Sequence, residues 1–208
     1  MPISSGNISC RAYSLMSKPA PDFMSKLGQD LKRHAFQPVR PERSPRSMGW
    51  VSPRDVLDTD LATEKAVFDD FIMLGLRVDK VAVNTRILKA HFQQAVQKTL
   101  KERDRKQLTR DEKAAIMEKT RVELMLQQTP STSFYEMAWN LENHHVYFSA
   151  TASTVNTDFC DLFQETFHVG LTPMFPYLRA EEKATLDGSM DVLLQSGPAR
   201  FNLAGGVE

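Results

Sequence analysis

The sequence predicts an α+β fold: an antiparallel sheet packed with helices, with a long basic two-helix extension. Three observations carry this. Apolar runs, strongest at Phe71–Val83, read as strands bounded by turn residues. Apolar residues at three- and four-residue spacing mark helices between them, as in Phe159, Leu162, Phe163, Thr166 and Phe167. The stretch from Asn84 to Thr129 has helical periodicity, only a narrow apolar seam, and a large surplus of positive charge.

Ile8–Leu15 alternates Ile8, Cys10 and Ala12 with polar residues and reads as a strand, ended by Pro19 and Pro21. Pro21 suits the first turn of a helix, on which Phe23, Leu27 and Leu31 form one apolar stripe before Phe36. Lys32, Arg33 and His34 fall in its last turn, where the helix dipole favours cations. Four prolines make Gln37–Arg54 a connector without regular structure. Within it Trp50, after Gly49, is expected as a buried anchor at a strand start. Arg40, Arg43 and Arg46 are either phosphate contacts or a solvated loop. Asp55–Asp70 is acidic and irregular. Phe71–Val83 is apolar on both faces in its first half, as a central strand is; Arg77, Asp79 and Lys80 carry it toward solvent.

Asn84 is placed to cap a helix reaching Lys106. Leu88, Phe92, Ala95, Val96, Thr99 and Leu100 form its seam, whereas Lys101–Lys106 has no apolar residue and must project into water or onto a partner. Thr109 and Glu112 have the spacing of a capping box for a second helix to Gln127, with Ala115, Ile116, Lys119, Thr120 and Leu124 along it. The short link makes the two helices antiparallel or sharply bent neighbours. Ser133–Asn140 and His145–Thr151 read as a hairpin, followed by a helix from Ser153 or Thr154 that Gly170 stops. Leu171–Tyr177, with Pro173 and Pro176, is an edge strand. Ala180–Gln195 reads as a last helix with Gly188 inside it, and Ser196–Glu208, rich in Gly, is expected to be a frayed tail. The expected division is residues 1–177 as the main domain, including the 84–129 extension, and 178–208 as a short helix and tail.

The 208 residues, 41% hydrophobic and 25% charged, suffice for a globular core. No apolar run reaches the roughly 18 residues of a membrane span, and the N-terminus lacks a secretory h-region. The expectation is a cytoplasmic protein with no membrane contact. Cys10 and Cys160 have no metal or redox spacing and are expected to be packed free thiols. A net charge of zero conceals blocks: +5 over residues 32–54, −5 over 55–76, +7 over 77–121 and −8 over 122–208. No phosphate loop, dinucleotide fingerprint, nucleophile elbow or zinc-protease motif is present, so neither an enzyme nor a cofactor is expected. His144 and His145 are expected to be surface histidines. Asp158, Asp161 and Glu165 should form an exposed acidic face, and Phe159, Phe163 and Phe167 a core stripe rather than a base-stacking platform.

Sequence-independent DNA binding needs cations spaced along a rigid element and little else. The extension offers Lys89, Lys98, Lys101, Arg103, Arg105, Lys106, Arg110 and Lys113. The alternative is a solvated helix face laced by pairs such as Lys98–Glu102. No recognition-helix or zinc-finger motif supports base readout.

Taken in order, these residues resemble the recombination-associated RdgC family of bacteria. The resemblance lies in an opening strand and helix, then Gly49-Trp50-Val51-Ser52-Pro53, then a strand leading into the charged-ended helix Ile87–Lys106. It continues through the Thr109–Glu112 cap and the hairpin, helix and Pro-containing strand from Phe134 to Pro176. It covers about Ile8 to Pro176, as in a C-terminally shortened homologue. It implies non-specific binding of double-stranded DNA by a nucleoid-associated homodimer that restrains recombinase filaments. Apolar residues on the hairpin or sheet edge would supply the dimer contact. The competing expectation is a protein-interaction scaffold that keeps the fold without binding DNA.

Overall fold

The computed structural model describes residues 9–197. Seven strands and seven helices follow in the order β1 Arg11–Leu15, α1 Phe23–Arg33, β2 Arg46–Val51, α2 Thr63–Ala66, β3 Val67–Phe68, β4 Phe71–Lys80, α3 Thr85–Glu102, α4 Arg110–Leu126, β5 Ser131–Asn140, β6 His145–Phe148, α5 Ser153–Phe167, β7 Leu171–Pro173, α6 Pro176–Asp187 and α7 Met190–Gln195. The strands make one antiparallel sheet, ordered β2-β4-β5-β6-β1-β7, with β3 pairing β4. The fold is α+β.

The register decides which side chains make the core. Trp50 lies opposite Leu76, and Leu76 opposite Tyr135. Ile72 lies opposite Trp139, Trp139 opposite Val146, and Val146 opposite Tyr13. Because side chains alternate with a period of two, these residues share one face. On it pack Leu27 and Leu31 of α1 and Phe159, Phe163 and Phe167 of α5. The ring of Phe159 stacks on Phe148 at 3.9 Å between centroids and meets Trp50 edge-on. The stripe is core, as its spacing predicts. Burying each such ring contributes about 1.5–3 kcal/mol. Two polar groups in this layer are paired: Trp50 Nε1–H donates to Thr166 Oγ1 at 2.8 Å, and Tyr13 O–H donates to Asn156 Oδ1 at 2.5 Å, whereas the buried Trp139 Nε1 finds no partner among the described residues.

Several expectations need correction. The 37–54 connector contains β2, because the prolines stop at Pro45 and resume at Pro53, leaving seven residues between them, of which the six from Arg46 to Val51 pair. Gly49 is required there: a Cβ would lie 2.5 Å from Phe36 Cα, where the chain crosses β2 through the parallel bridge of Ala35 to Trp50. Residues 55–70 are not wholly irregular, for they hold α2 and β3. Of the three residues expected to carry β4 toward solvent only Lys80 is exposed; Arg77 is half-buried and Asp79 buried. The latter two sit on the sheet face opposite the helices, Asp79 only 2% exposed, and pair under the 52–58 loop, where Arg77 also donates to the Val56 carbonyl.

Helix α5 ends not at Gly170 but at His168, which takes the left-handed conformation (φ 57°). Gly188, left-handed at φ 69°, caps α6 and divides the predicted last helix in two. Cys160 is half-buried, but Cys10 is exposed rather than packed. The tail from residue 198 onward lies outside the described residues.

Candidate nucleic-acid interface

The arm is built from α3 and α4. Asn84 Oδ1 accepts from the Arg86 amide and starts α3. The 18 residues of α3 span about 27 Å, ending at Glu102 rather than Lys106. The seam predicted for it is real: Leu88, Phe92, Ala95, Val96, Thr99 and Leu100 are its half-buried residues. None is fully buried. On α4 the covered stripe runs through Ile116, Met117, Thr120 and Leu124, whereas Ala115 and Lys119, expected on it, are exposed. The helices pack on each other, and only the end of α4, with buried Leu124 and Met125, is well covered.

The tip is held by local chemistry. Asp104 is left-handed (φ 49°), and the Arg105 amide returns to the Leu100 carbonyl at 3.0 Å. The capping box forms in full: Thr109 Oγ1 accepts from the Glu112 amide and Glu112 Oε2 from the Thr109 amide. Glu112 Oε1 also accepts from Arg103 at 2.7 Å and Arg105 at 3.3 Å. The backbone hydrogen bond from Thr109, then its hydroxyl and the charges of Arg105 and Arg103, hold the Glu112 carboxyl below its ordinary range.

All eight predicted cations are exposed. Three have carboxylate partners: Arg103 and Arg105 share Glu112, and Lys98 lies 3.9 Å from Glu102. Lys89, Lys101, Lys106, Arg110 and Lys113 have none among the described residues. Two further cations not predicted as contacts, Arg86 and Arg121, are exposed and have no carboxylate partner among the described residues. Arg86 had a signal: it stands in the first turn of a helix with no acidic residue there, where the dipole disfavours a cation. A rigid rod with unneutralised cations along it can meet a polyanion through its phosphates; nothing in its geometry reads bases.

Other candidates resolve differently. Arg46 bonds Asp158 on α5, so Asp158 leaves the expected exposed acidic face while Asp161 and Glu165 stay exposed. The Asp158 hydrogen bond, outweighing desolvation, raises the Arg46 guanidinium further. Arg40 and Arg43 are exposed in a turn. His144 and His145 are half-buried rather than surface groups. Asn140 Oδ1 accepts from the Glu142 and Asn143 amides and tightens the turn. His144 is left-handed there, its Nδ1 sealed without a partner.

Fold and arm together define an α+β protein that displays an exposed basic helical hairpin. Its residues 9–202 match the family described as "Putative exonuclease, RdgC". The chain therefore belongs to the RdgC family, and the match runs past Pro176, the end of the sequence resemblance. No curated protein matches the chain. Among the described residues no helix is long and apolar enough to cross a membrane.

Proposed function

We propose that this protein binds double-stranded DNA without regard to sequence and, as a homodimer, restrains recombinase filaments, acting on the nucleoid in the cytoplasm. The observation that carries the proposal is the arm: a helical hairpin with no fully buried residue on α3 and five predicted cations that no carboxylate among the described residues pairs. Membership in a recombination-associated family supports the biological setting. The dimer contact falls to the far end of the sheet, where β7 is an edge strand and Tyr177, Leu186 and Val192 are exposed on α6 and α7.

The family description speaks of an exonuclease. Our reading is of binding without hydrolysis. Anisotropy of a labelled duplex of about 30 base pairs at rising salt tests the proposal. Equal affinity for two unrelated sequences, lost steeply with salt, is expected. Absence of binding at low salt removes the DNA reading in favour of a scaffold for a protein partner. Shortening of an end-labelled duplex in magnesium would overturn the non-hydrolytic part.

A further inference from the structure

A cleft of about 400 Å³ opens where the arm leaves the sheet, lined by Arg46, Lys80, Thr129, Ser131, Ser133 and Tyr135 over Val78 and Val155. The register puts it there. Arg46 lies opposite Lys80 on β2 and β4, and Lys80 lies opposite Ser131 on β5. Ser133 and Tyr135 follow at two-residue steps and so share that face. Ala82, just before the Asn84 cap, and Thr129, just after α4, also line it. The cleft is therefore the root of the arm.

Two cations directly opposite on neighbouring strands repel each other. Asp158 relieves one by bonding Arg46 from α5. Lys80 is exposed and has no carboxylate partner among the described residues, and none of the described residues lining the cleft is a carboxylate. Beside this free ammonium stand four hydroxyl groups, each able to donate to an anionic oxygen. An ammonium with several hydroxyls and no competing acid is the donor set that phosphate oxygens take on a nucleic-acid backbone. The exposed Arg40 and Arg43 extend the positive surface: their turn leads into Pro45, whose carbonyl accepts from the Val81 amide at 2.8 Å.

We infer that this cleft is a second phosphodiester site, which takes the backbone of a duplex lying along the arm and fixes the duplex at the arm's root. The inference rests on the DNA reading of the arm. Lys80 supplies the charge, Ser131, Ser133 and Thr129 the directional hydrogen bonds, and Arg46, held by Asp158, a fixed wall.

The test uses the full chain, with amide shifts followed by NMR during separate titrations with a short duplex and with inorganic phosphate. Three variants accompany it: Lys80→Ala, Lys80→Arg, and a double variant of the arm, Lys101→Ala with Lys106→Ala. The duplex is expected to shift the amides of Lys80, Ser131 and Ser133. Lys80→Ala should weaken binding several-fold and reduce the steepness of the salt dependence by about one, and Lys80→Arg should restore both. Thermal unfolding at the wild-type temperature shows that Lys80→Ala still folds. Duplex binding that the arm variant weakens, with silent cleft amides and an unaltered Lys80→Ala, overturns the cleft and leaves the arm reading standing. No duplex binding by the wild type overturns both. Cleft shifts produced by inorganic phosphate and not by the duplex make it a site for a free phosphate and overturn the backbone assignment.

Discussion

Arg77 and Asp79 show what single residues contribute on the less covered side of the sheet. Arg77 donates from Nε to Asp79 Oδ1 at 2.9 Å and from Nη2 to Oδ2 at 2.6 Å, while its guanidinium lies 4.2 Å from the centre of the Phe36 ring. Burial alone would raise the Asp79 carboxyl. Hydrogen bonds from Arg77 and Thr132, with the Arg77 charge, outweigh it and hold the carboxyl below its usual range. A depressed carboxyl adds stability above its unfolded value, near 4, and that stability is lost as pH falls through the folded value. Arg77→Ala strands a buried carboxylate and should cost about 3–5 kcal/mol in urea unfolding. It should also abolish the part of the acid destabilisation that Asp79 supplies; an unchanged acid limb would show that the pair does not set it. Tyr13 gives the opposite sign. Burial, then the nearby Cys160, pushes its phenol up to about 12. Its contribution is complete below pH 10, where the unfolded phenol begins to ionise, and is lost as pH rises toward 12. Tyr13→Phe should flatten that alkaline loss, measured as melting temperature against pH. The substitution also leaves Asn156 without one donor, so a lower melting temperature at neutral pH is expected with it.

At the scale of elements, the sheet and the arm are stabilised differently. Strand β4 pairs on both sides and buries Ile72, Leu74 and Leu76; α3 buries no residue fully. Hydrogen exchange follows local opening, so α3 amides should exchange far faster than those of β4 in the same sample. Thr109→Ala removes one arm of the capping box and should cost α4 about 1 kcal/mol, read as lost protection in its first turn without change in β4. What was legible in the sequence divides along the same line. The arm could be read almost residue by residue, because cap, seam and capping box are local: each is decided within four residues. The aromatic stripe of α5 was legible for the same reason. Strand β2 was hidden because the connector as a whole is proline-dense, whereas pairing depends only on the proline-free gap between Pro45 and Pro53. The Arg77–Asp79 pair and the cleft at Lys80 were hidden because they depend on which residue of one strand faces which of another, and on loops folding over them. Gly49 shows the difference within one motif: its neighbour Trp50 announces burial by its composition, whereas the need for glycine appears only when Phe36 is seen to cross it.

For the whole molecule, the deciding property is that a chain with zero net charge is strongly polar in charge. Residues 77–121 carry a surplus of seven positive charges and residues 122–208 a deficit of eight. Such a chain is neutral in sum yet displays a locally basic arm. Among the described residues five of the eight predicted arm cations have no carboxylate partner and three are paired with carboxylates, so the contacts available are fewer than the number of basic residues suggests. With about six phosphates met by the arm and its root, the logarithm of affinity should fall with the logarithm of salt at a slope near −5. Lys101→Glu with Lys106→Glu reverses two exposed cations that no described carboxylate partners. The slope should flatten by about 2, and binding at low salt should fall by more than the two lost contacts explain, because the new acids repel the backbone. Arg103→Ala supplies the contrast. Arg103 is already committed to Glu112, and Arg105 remains to hold that carboxylate, so its removal should move the slope by less than one. Equal flattening by an Arg103 and a Lys101 single variant would mean that the tip ion pairs open when DNA arrives. A slope that neither variant moves would place the contact away from the arm.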